Sequence, residues 1–290
     1  MKRVFYFLIT VLMISCGRKS YNSEDRIITV SIAPFKYFIE EIAGNDFKVN
    51  IMVPAGADPH TYEPYPEQIN KLRKSVAYIS NGYLGFEMNW LERFYETNNT
   101  MKRLSLGEKI DPLNSVHHHE GSQIESADPH YWVSPSCALI MASSMKGFLC
   151  ELNPTQKEKY EKGYQVLLLR IKEVDDKARE LFSGVKNRSF MIYHPNLAYI
   201  ARDYGLEEIP VEYEGKEPPP SRLRDLIDRA RKDHLKTIFV QREYDTKNAK
   251  AIASEIGAQI VLIDPLSENW QRSTIDIIEA LHNSLIESSK

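Results

Sequence analysis

NPTQKEKYEKGYQVLLLRIKEVDDKARELFSG, residues 153–184, decides how the rest of the chain is read. Asn153 suits an N-cap and Pro154 suits the first helical position. Tyr160, Tyr164, Leu167, Ile171, Val174, Ala178 and Leu181 recur at alternating spacings of four and three. That makes one narrow apolar stripe on a helix otherwise rich in Lys, Glu and Asp. Gly184 is its stop. The spacing predicts a helix over 154–183, roughly 40 Å long. A single seam on so long and polar a helix suits a rod laid along two lobes. The plainer alternative is a surface helix inside one domain.

The stretches on either side have the same build. Before the helix, short apolar runs at 26–32, 48–53 and 76–79 read as strands, with helices over 34–44, 66–74, 86–95 and 135–152. After it, strands at 189–192, 209–212, 237–240 and 259–263 alternate with helices over 196–204, 221–234, 245–256 and 273–287. Strands alternating with helices mean parallel α/β sheets. The expected organisation is an N-terminal α/β lobe over 26–153, a linking helix over 154–183 and a C-terminal α/β lobe over 184–290.

The first residues read as a targeting segment and stand apart from the fold. Lys2 and Arg3 precede an apolar run from Val4 to Ser15, about 18 Å as a helix and too short to span a bilayer. Small residues flank Cys16, as at a bacterial lipoprotein processing site, though Met13 stands where leucine is usual. Residues 1–15 are therefore expected to be a lipoprotein signal, Cys16 the lipidated residue and 16–25 a tether. The alternative is a plain secretory signal. Cys137 and Cys150 fall in one predicted helix, about 20 Å apart, beyond disulfide reach. They are expected as two thiols. A net charge of −3 with signs mixed along the chain offers no basic face for nucleic acid.

Four segments put a possible metal ligand beside a proline: Asp58-Pro59-His60, Asp128-Pro129-His130, His194-Pro195 and Asp264-Pro265. Proline stiffens the backbone on which each side chain stands. His194 and Asp264 directly follow apolar strands, and His60 follows one after a short turn. Ligands of parallel α/β sheets bind beyond the carboxyl ends of strands. Two such sheets facing each other would bring all four side chains into the cleft between lobes. Three neutral imidazoles and one carboxylate suit four-coordinate Zn²⁺, whereas carboxylate-rich sites suit Mn²⁺ or Mg²⁺. Spacing alone is a weak signal here, since a histidine after proline is commonly structural.

The motifs together carry more. GADPHTYEP at 56–64, DPHYWVSP at 128–135, HPNLAYIARDYGL at 194–206 and IDPL at 263–266 resemble those of zinc-specific solute-binding proteins of bacterial ABC importers. That family also holds manganese-binding members. The resemblance runs from about Ile27 to the C-terminus. It implies two α/β lobes joined by one long helix, with the metal between them. It implies ligands at His60, His130, His194 and Asp264, and Zn²⁺ as the transported ligand. Manganese binders of the family carry glutamate where this chain has His194, so Mn²⁺ is the lesser expectation. An ABC permease is the implied partner, and the implied place is outside the cytoplasm, held to a membrane by lipid. A monomer is expected. The chain departs from the family's zinc members in its short His117-His118-His119 loop, where they often carry a long His-rich one. It also has no cysteine after Cys150, where some members have a disulfide.

His117, His118 and His119 read equally as a metal-gathering loop and as a solvated one. Glu63, three residues after His60, is a further carboxylate near the shell and reads first as a supporting or surface residue. His234 and His282 read as helix-surface residues. Other functions compete. A surface adhesin could use the same fold. A zinc hydrolase would need an open coordination position, yet four protein ligands would close the site and no H-E-x-x-H helix is present. No enzymatic activity is expected.

Overall fold

The computed structural model describes residues 26–114, 127–212, 216, 218–244 and 247–288. The segment expected to be a leader, Cys16 and His117–His119 lie outside them. The first half runs β1 (Ile27–Ile32), α1 (Pro34–Ala43), β2 (Lys48–Val53), α2 (Pro66–Leu72), β3 (Ser75–Ser80), α3 (Gly85–Thr97) and β4 (Lys102–Ser105). All its strand pairs are parallel, in the order β2-β1-β3-β4. β1 is central, and its β-branched residues are buried nearly throughout. β4 was not expected from the sequence. Its residues Lys-Arg-Leu-Ser sit on the sheet's edge with no buried position among them, so no apolar run marks it.

α4 (Pro135–Leu152) starts where Ser134 Oγ accepts the Cys137 amide and Pro135 takes the first position. Cys137 and Cys150 are both free thiols on it. α5 (Lys157–Phe182) follows a single 3₁₀ turn over Pro154–Gln156, so it begins three residues later than the sequence suggests. Asn153 does not cap it through its side chain. Its amide instead donates to the Tyr160 hydroxyl at 3.2 Å, and its Oδ1 accepts from Thr155.

The second half runs β5 (Ser189–Ile192), α6 (Ala198–Tyr204), β6 (Glu207–Pro210), α7 (Pro220–Lys232), β7 (Thr237–Gln241), α8 (Lys247–Ile256), β8 (Gln259–Ile263) and α9 (Trp270–Glu287). Its sheet is parallel in the order β6-β5-β7-β8. β6 lies two residues earlier than its apolar letters suggest. Glu208 sits within it because its carboxylate accepts the Asn196 and Leu197 amides, at 3.1 and 2.7 Å. α9 begins early because Asn269 caps it, accepting the Arg272 amide.

One apolar core runs through both halves. Phe38 of α1, Trp132, Tyr160 and Ile171 of α5, Phe190 and Phe239 of the second sheet, and Trp270 of α9 all belong to it. Strand residues alternate faces. Phe190 and Ile192 accordingly point into this core, while Met191 and Tyr193 join a smaller cluster on the other face with Leu226 of α7 and Ile252 of α8. α5 packs on α1 and α4 from the first half and on α9 from the second. Its buried seam is Tyr160, Leu167, Ile171, Val174, Ala178 and Phe182, with Tyr164 and Leu181 half-buried beside it.

Gly163 marks where α5 comes closest to α1. A Cβ there would stand 2.4 Å from the Ile42 carbonyl oxygen and 2.6 Å from that of Glu41. Both are backbone atoms, so the helices would have to separate. Gly163→Ala is therefore expected to destabilise the fold by about 1–3 kcal/mol, despite alanine's better helix propensity. Gly147, mid-α4 with open space around its Cβ position, is the control. Gly147→Ala should stabilise by up to about 1 kcal/mol. Urea unfolding midpoints of the two variants should move in opposite directions.

Candidate metal centre

The loop after β2 carries His60, a one-turn 3₁₀ helix (His130–Val133) carries His130, and the end of β5 carries His194. Their ring nitrogens converge. His130 Nε2 lies 3.2 Å from His60 Nε2 and 3.4 Å from His194 Nε2. One ligand atom from each of the three falls within 4.8 Å of the others. Zinc–nitrogen bonds of 2.0–2.1 Å at tetrahedral angles would separate two ligand nitrogens by about 3.3–3.4 Å. The triad is thus spaced as ligands of a Zn-sized ion would be. His130 and His194 are buried, 2% and 4% exposed.

The Asp-Pro-His repeat has a structural counterpart. Asp58 Oδ1 accepts the His60 backbone N–H, and Asp128 Oδ1 accepts that of His130, each at 2.8 Å. Each aspartate closes a turn that fixes the histidine two residues on. Asp128 Oδ1 also lies 2.8 Å from His130 Nδ1, and Glu212 Oε2 lies 2.7 Å from His194 Nδ1. A carboxylate on Nδ1 holds the tautomer that leaves Nε2 as a lone pair facing the cleft, and it raises that nitrogen's basicity. The Asp-Pro-His repeat could have signalled the role of the aspartates. Glu212, eighteen residues beyond His194 past another strand, had no signal.

The His130 turn is bolted to the second half. Trp132 Nε1–H donates to the Pro265 carbonyl at 2.9 Å, and Trp270 Nε1–H donates to the Trp132 carbonyl at 2.7 Å. The Tyr199 hydroxyl donates to the Asp128 carbonyl at 2.8 Å. On the first half's side, the Asn81 amide donates to the Pro129 carbonyl at 2.9 Å. Ligands from opposite halves are therefore placed by hydrogen bonds as well as by packing.

The cleft at the triad is lined by Pro59, His60, His130, Trp132, His194 and, from the other side, Asn196, Glu243, Tyr244 and Leu266, and has no enclosed room for an organic molecule. Pockets for organic ligands run roughly 300–1,000 Å³. This one suits an ion. Glu243 and Asn196 were missed in the sequence: Glu243 stands in none of the motifs, and Asn196, though inside the one at 194–206, is not among the residue types that read as metal ligands there.

Asp264, expected as fourth ligand, follows β8 as anticipated but is not in the converging group. Its Oδ2 faces Arg242 Nη1 at 3.5 Å, and it lines a separate cavity with Arg272 and Asp276. β7 lies between β8 and β5, so Asp264 emerges two strands from His194, and its charge still acts on the Glu243 carboxyl that lines the triad's cleft. Glu63 is exposed and outside the group. His234 falls just past α7, with φ 54, and is exposed, while His282 is half-buried on α9.

Burial pushes the carboxyls of Glu212 and Glu243 up to about 7, with the Asp58 charge adding to both and Asp264 to the second. Farther out, burial pushes Glu87 up to about 7 and Glu208 up to about 8, against the amide hydrogen bonds each accepts. A carboxyl whose folded pKa lies above its unfolded value stabilises fully below the unfolded value, near 4.5, and loses that contribution as pH rises through the folded one. Glu87 and Glu208 should thus make the metal-free protein less stable between about pH 5 and 8, by a few kcal/mol at most. Urea midpoints should fall across that window, and Glu208→Gln should flatten the fall. A midpoint that rises with pH in both proteins would contradict this.

The family model of the zinc-uptake complex component A, periplasmic (ZnuA), matches residues 28–287. A crystal structure of ZnuA superposes with TM-score 0.83 at 36% identity, covering 90% of this chain and 99% of that one. The zinc-binding lipoprotein AdcA of Streptococcus pneumoniae is 23% identical over 285 residues, 92% of this chain and 55% of AdcA. The chain thus spans about half the length of AdcA. The iron-binding protein YfeA of Yersinia pestis is 28% identical over 271 residues, 91% of this chain and 85% of YfeA. Among the described residues no helix is long and apolar enough to cross a membrane.

Proposed function

Because the chain belongs to the ZnuA family of periplasmic zinc-uptake components, we propose that it captures Zn²⁺ outside the cytoplasm and passes it to the permease of an ABC importer. The convergence of His60, His130 and His194 at zinc-like nitrogen spacings carries this reading. Three imidazoles favour Zn²⁺ over Mn²⁺, because borderline-soft nitrogen suits zinc and hard oxygen suits manganese. YfeA's described metal makes iron the second reading, and the histidine-only triad weighs against it.

The chemistry is capture and release, not turnover. Carboxylates on the Nδ1 atoms of His130 and His194 orient the ligands and supply negative charge around a buried cation. The leader over 1–15 and the cysteine at Cys16 further support a lipid anchor that keeps the monomeric carrier at the membrane surface. The test is metal analysis of protein purified without chelator, followed by Zn²⁺/Mn²⁺ competition. One zinc per chain that manganese fails to displace is the expected result. Preferential retention of manganese or iron would replace the reading.

A further inference from the structure

Resting on the metal-capture reading above, we propose that the turn between β3 and α3, residues 81–87, is a bracket that sets how far apart His60 and His130 stand. Gly85 and Asn81 are its two points of contact, and the buried carboxyl of Glu87 is its lock. All three are positioning residues, acting on the ion through the two histidines.

His60 and His130 lie 70 residues apart, yet this one short turn meets the backbone around both. At the turn's C-terminal end, Gly85 opens α3 against His60. A Cβ on Gly85 would stand 2.6 Å from the His60 carbonyl oxygen and 3.3 Å from the His60 Cα. The next residue, Phe86, donates its amide to the Pro59 carbonyl at 3.4 Å. The start of the helix thus bears directly on the main chain that carries one ligand, with no side chain between them to give way. At the turn's N-terminal end, Asn81 is fully buried. Its side-chain amide donates to the Pro129 carbonyl at 2.9 Å, and its own carbonyl accepts the Tyr131 hydroxyl at 2.7 Å. Those bonds grip the residue before His130 and the residue after it.

Glu87 closes the turn on itself. It is 1% exposed, in the first turn of α3. One carboxyl oxygen accepts the Asn81 N–H at 2.8 Å, and the other accepts the Gly82 N–H at 2.6 Å. The Ser31 hydroxyl, on the central strand β1, also donates to it. Gly82 takes φ 101, which glycine adopts without strain. A buried carboxyl is costly unless hydrogen-bonded. Here its bonds close this turn and tie it to the sheet. The path from Asn81 to Gly85 is therefore held at both ends, and with it the 3.2 Å separation of the His60 and His130 Nε2 atoms. Ligands held in place leave less ordering to be done on binding, which raises affinity. His194 is held by other means, through Gln241 and Glu212.

The experiment measures Zn²⁺ affinity by chelator competition in the full-chain parent, Gly85→Ala, Asn81→Ala and Glu87→Gln, with Ser75→Ala as control. The Ser75 hydroxyl pairs with that of Thr29 at 2.6 Å, so its loss loosens the same sheet without touching the turn. Glu87→Gln keeps the side chain's shape but puts an N–H donor where the Asn81 and Gly82 amides need acceptors. Each variant is measured below the melting temperature of its metal-free form, and X-ray absorption counts the imidazoles on zinc. Asn81→Ala removes side-chain bonds only, so it carries the test if Gly85→Ala melts too low. The three turn variants are expected to weaken zinc by about ten- to a hundredfold, and Gly85→Ala to lose an imidazole from the zinc, while Ser75→Ala melts lower but binds within about threefold of the parent. Turn variants that bind within about threefold of the parent with all their imidazoles, or a loss in Ser75→Ala as large as theirs, would overturn the bracket and leave the histidine site standing. A parent that binds no zinc would instead overturn the capture reading.

Discussion

Zinc added to the metal-free protein at a thousandfold excess over its Kd should raise the melting temperature by about 8–16 °C. A ligand that binds only the native state stabilises it by about 4 kcal/mol at that excess. For a chain of this size each kcal/mol moves the midpoint by about 2–4 °C. The triad justifies the assumption that the unfolded chain does not compete. Its ligands are separated by 70 and 64 residues and converge only through the tertiary structure. They also come from both halves of the molecule, so the ion ties the loop after β2 and the His130 turn to the end of β5. Mn²⁺ at the same free concentration should give a smaller rise, because it ranks below zinc at nitrogen sites. A midpoint that zinc leaves unmoved would mean that the three imidazoles do not act together.

His130→Ala should carry the largest loss of affinity among single substitutions. Zinc binding worth about 10–16 kcal/mol, spread over three or four ligands, is about 3 kcal/mol each, or a factor of at least about a hundred. His130 is the central member, with its Nε2 within 3.4 Å of both other imidazoles, and it is nearly fully buried. The substitution also takes the imidazole away from the buried Asp128 carboxylate, which among the described residues keeps the His130 backbone N–H. Part of the effect will therefore be loss of metal-free stability, on the order of 1–3 kcal/mol. His130→Gln separates the two effects, since its amide can still donate to Asp128. Both variants should lose zinc in chelator competition, but only the alanine should melt markedly lower without metal. Retention of zinc within about tenfold by both would remove His130 from the shell.

The rest of the fold gives these results their setting. Hydrogen bonds from Trp132 to the Pro265 carbonyl and from Trp270 to the Trp132 carbonyl cross between the halves in a fully buried core. With α5 laid against α1, α4 and α9, there is little room for a wide hinge. The turn over Gln241–Tyr244 and the loop carrying His60 border the cleft at the triad.

Much of this was present in the chain's letters. Apolar runs of four to six residues marked seven of the eight strands, because a strand buried in a parallel sheet must be apolar along most of its length. The four-and-three stripe from Tyr160 marked α5, because a helix buries one face at that period. The three histidines were legible because each sits beside a proline near the end of a strand or in a repeated Asp-Pro-His. β4 was not legible, since an edge strand of Lys-Arg-Leu-Ser buries too little to need an apolar pattern. The bounds of β6 were misjudged because Glu208 satisfies its carboxylate with amides from the loop before α6, a contact no local window contains. Which acidic residue lines the triad's cleft was decided by the tertiary structure alone. Asp264 and Glu243 each follow a strand closely, and local sequence cannot say which strand lies beside β5. Strand order depends on hydrogen bonds between segments far apart in the chain. Here it puts β7, with Glu243 in its turn, next to His194 and leaves Asp264 one strand farther out, against Arg242.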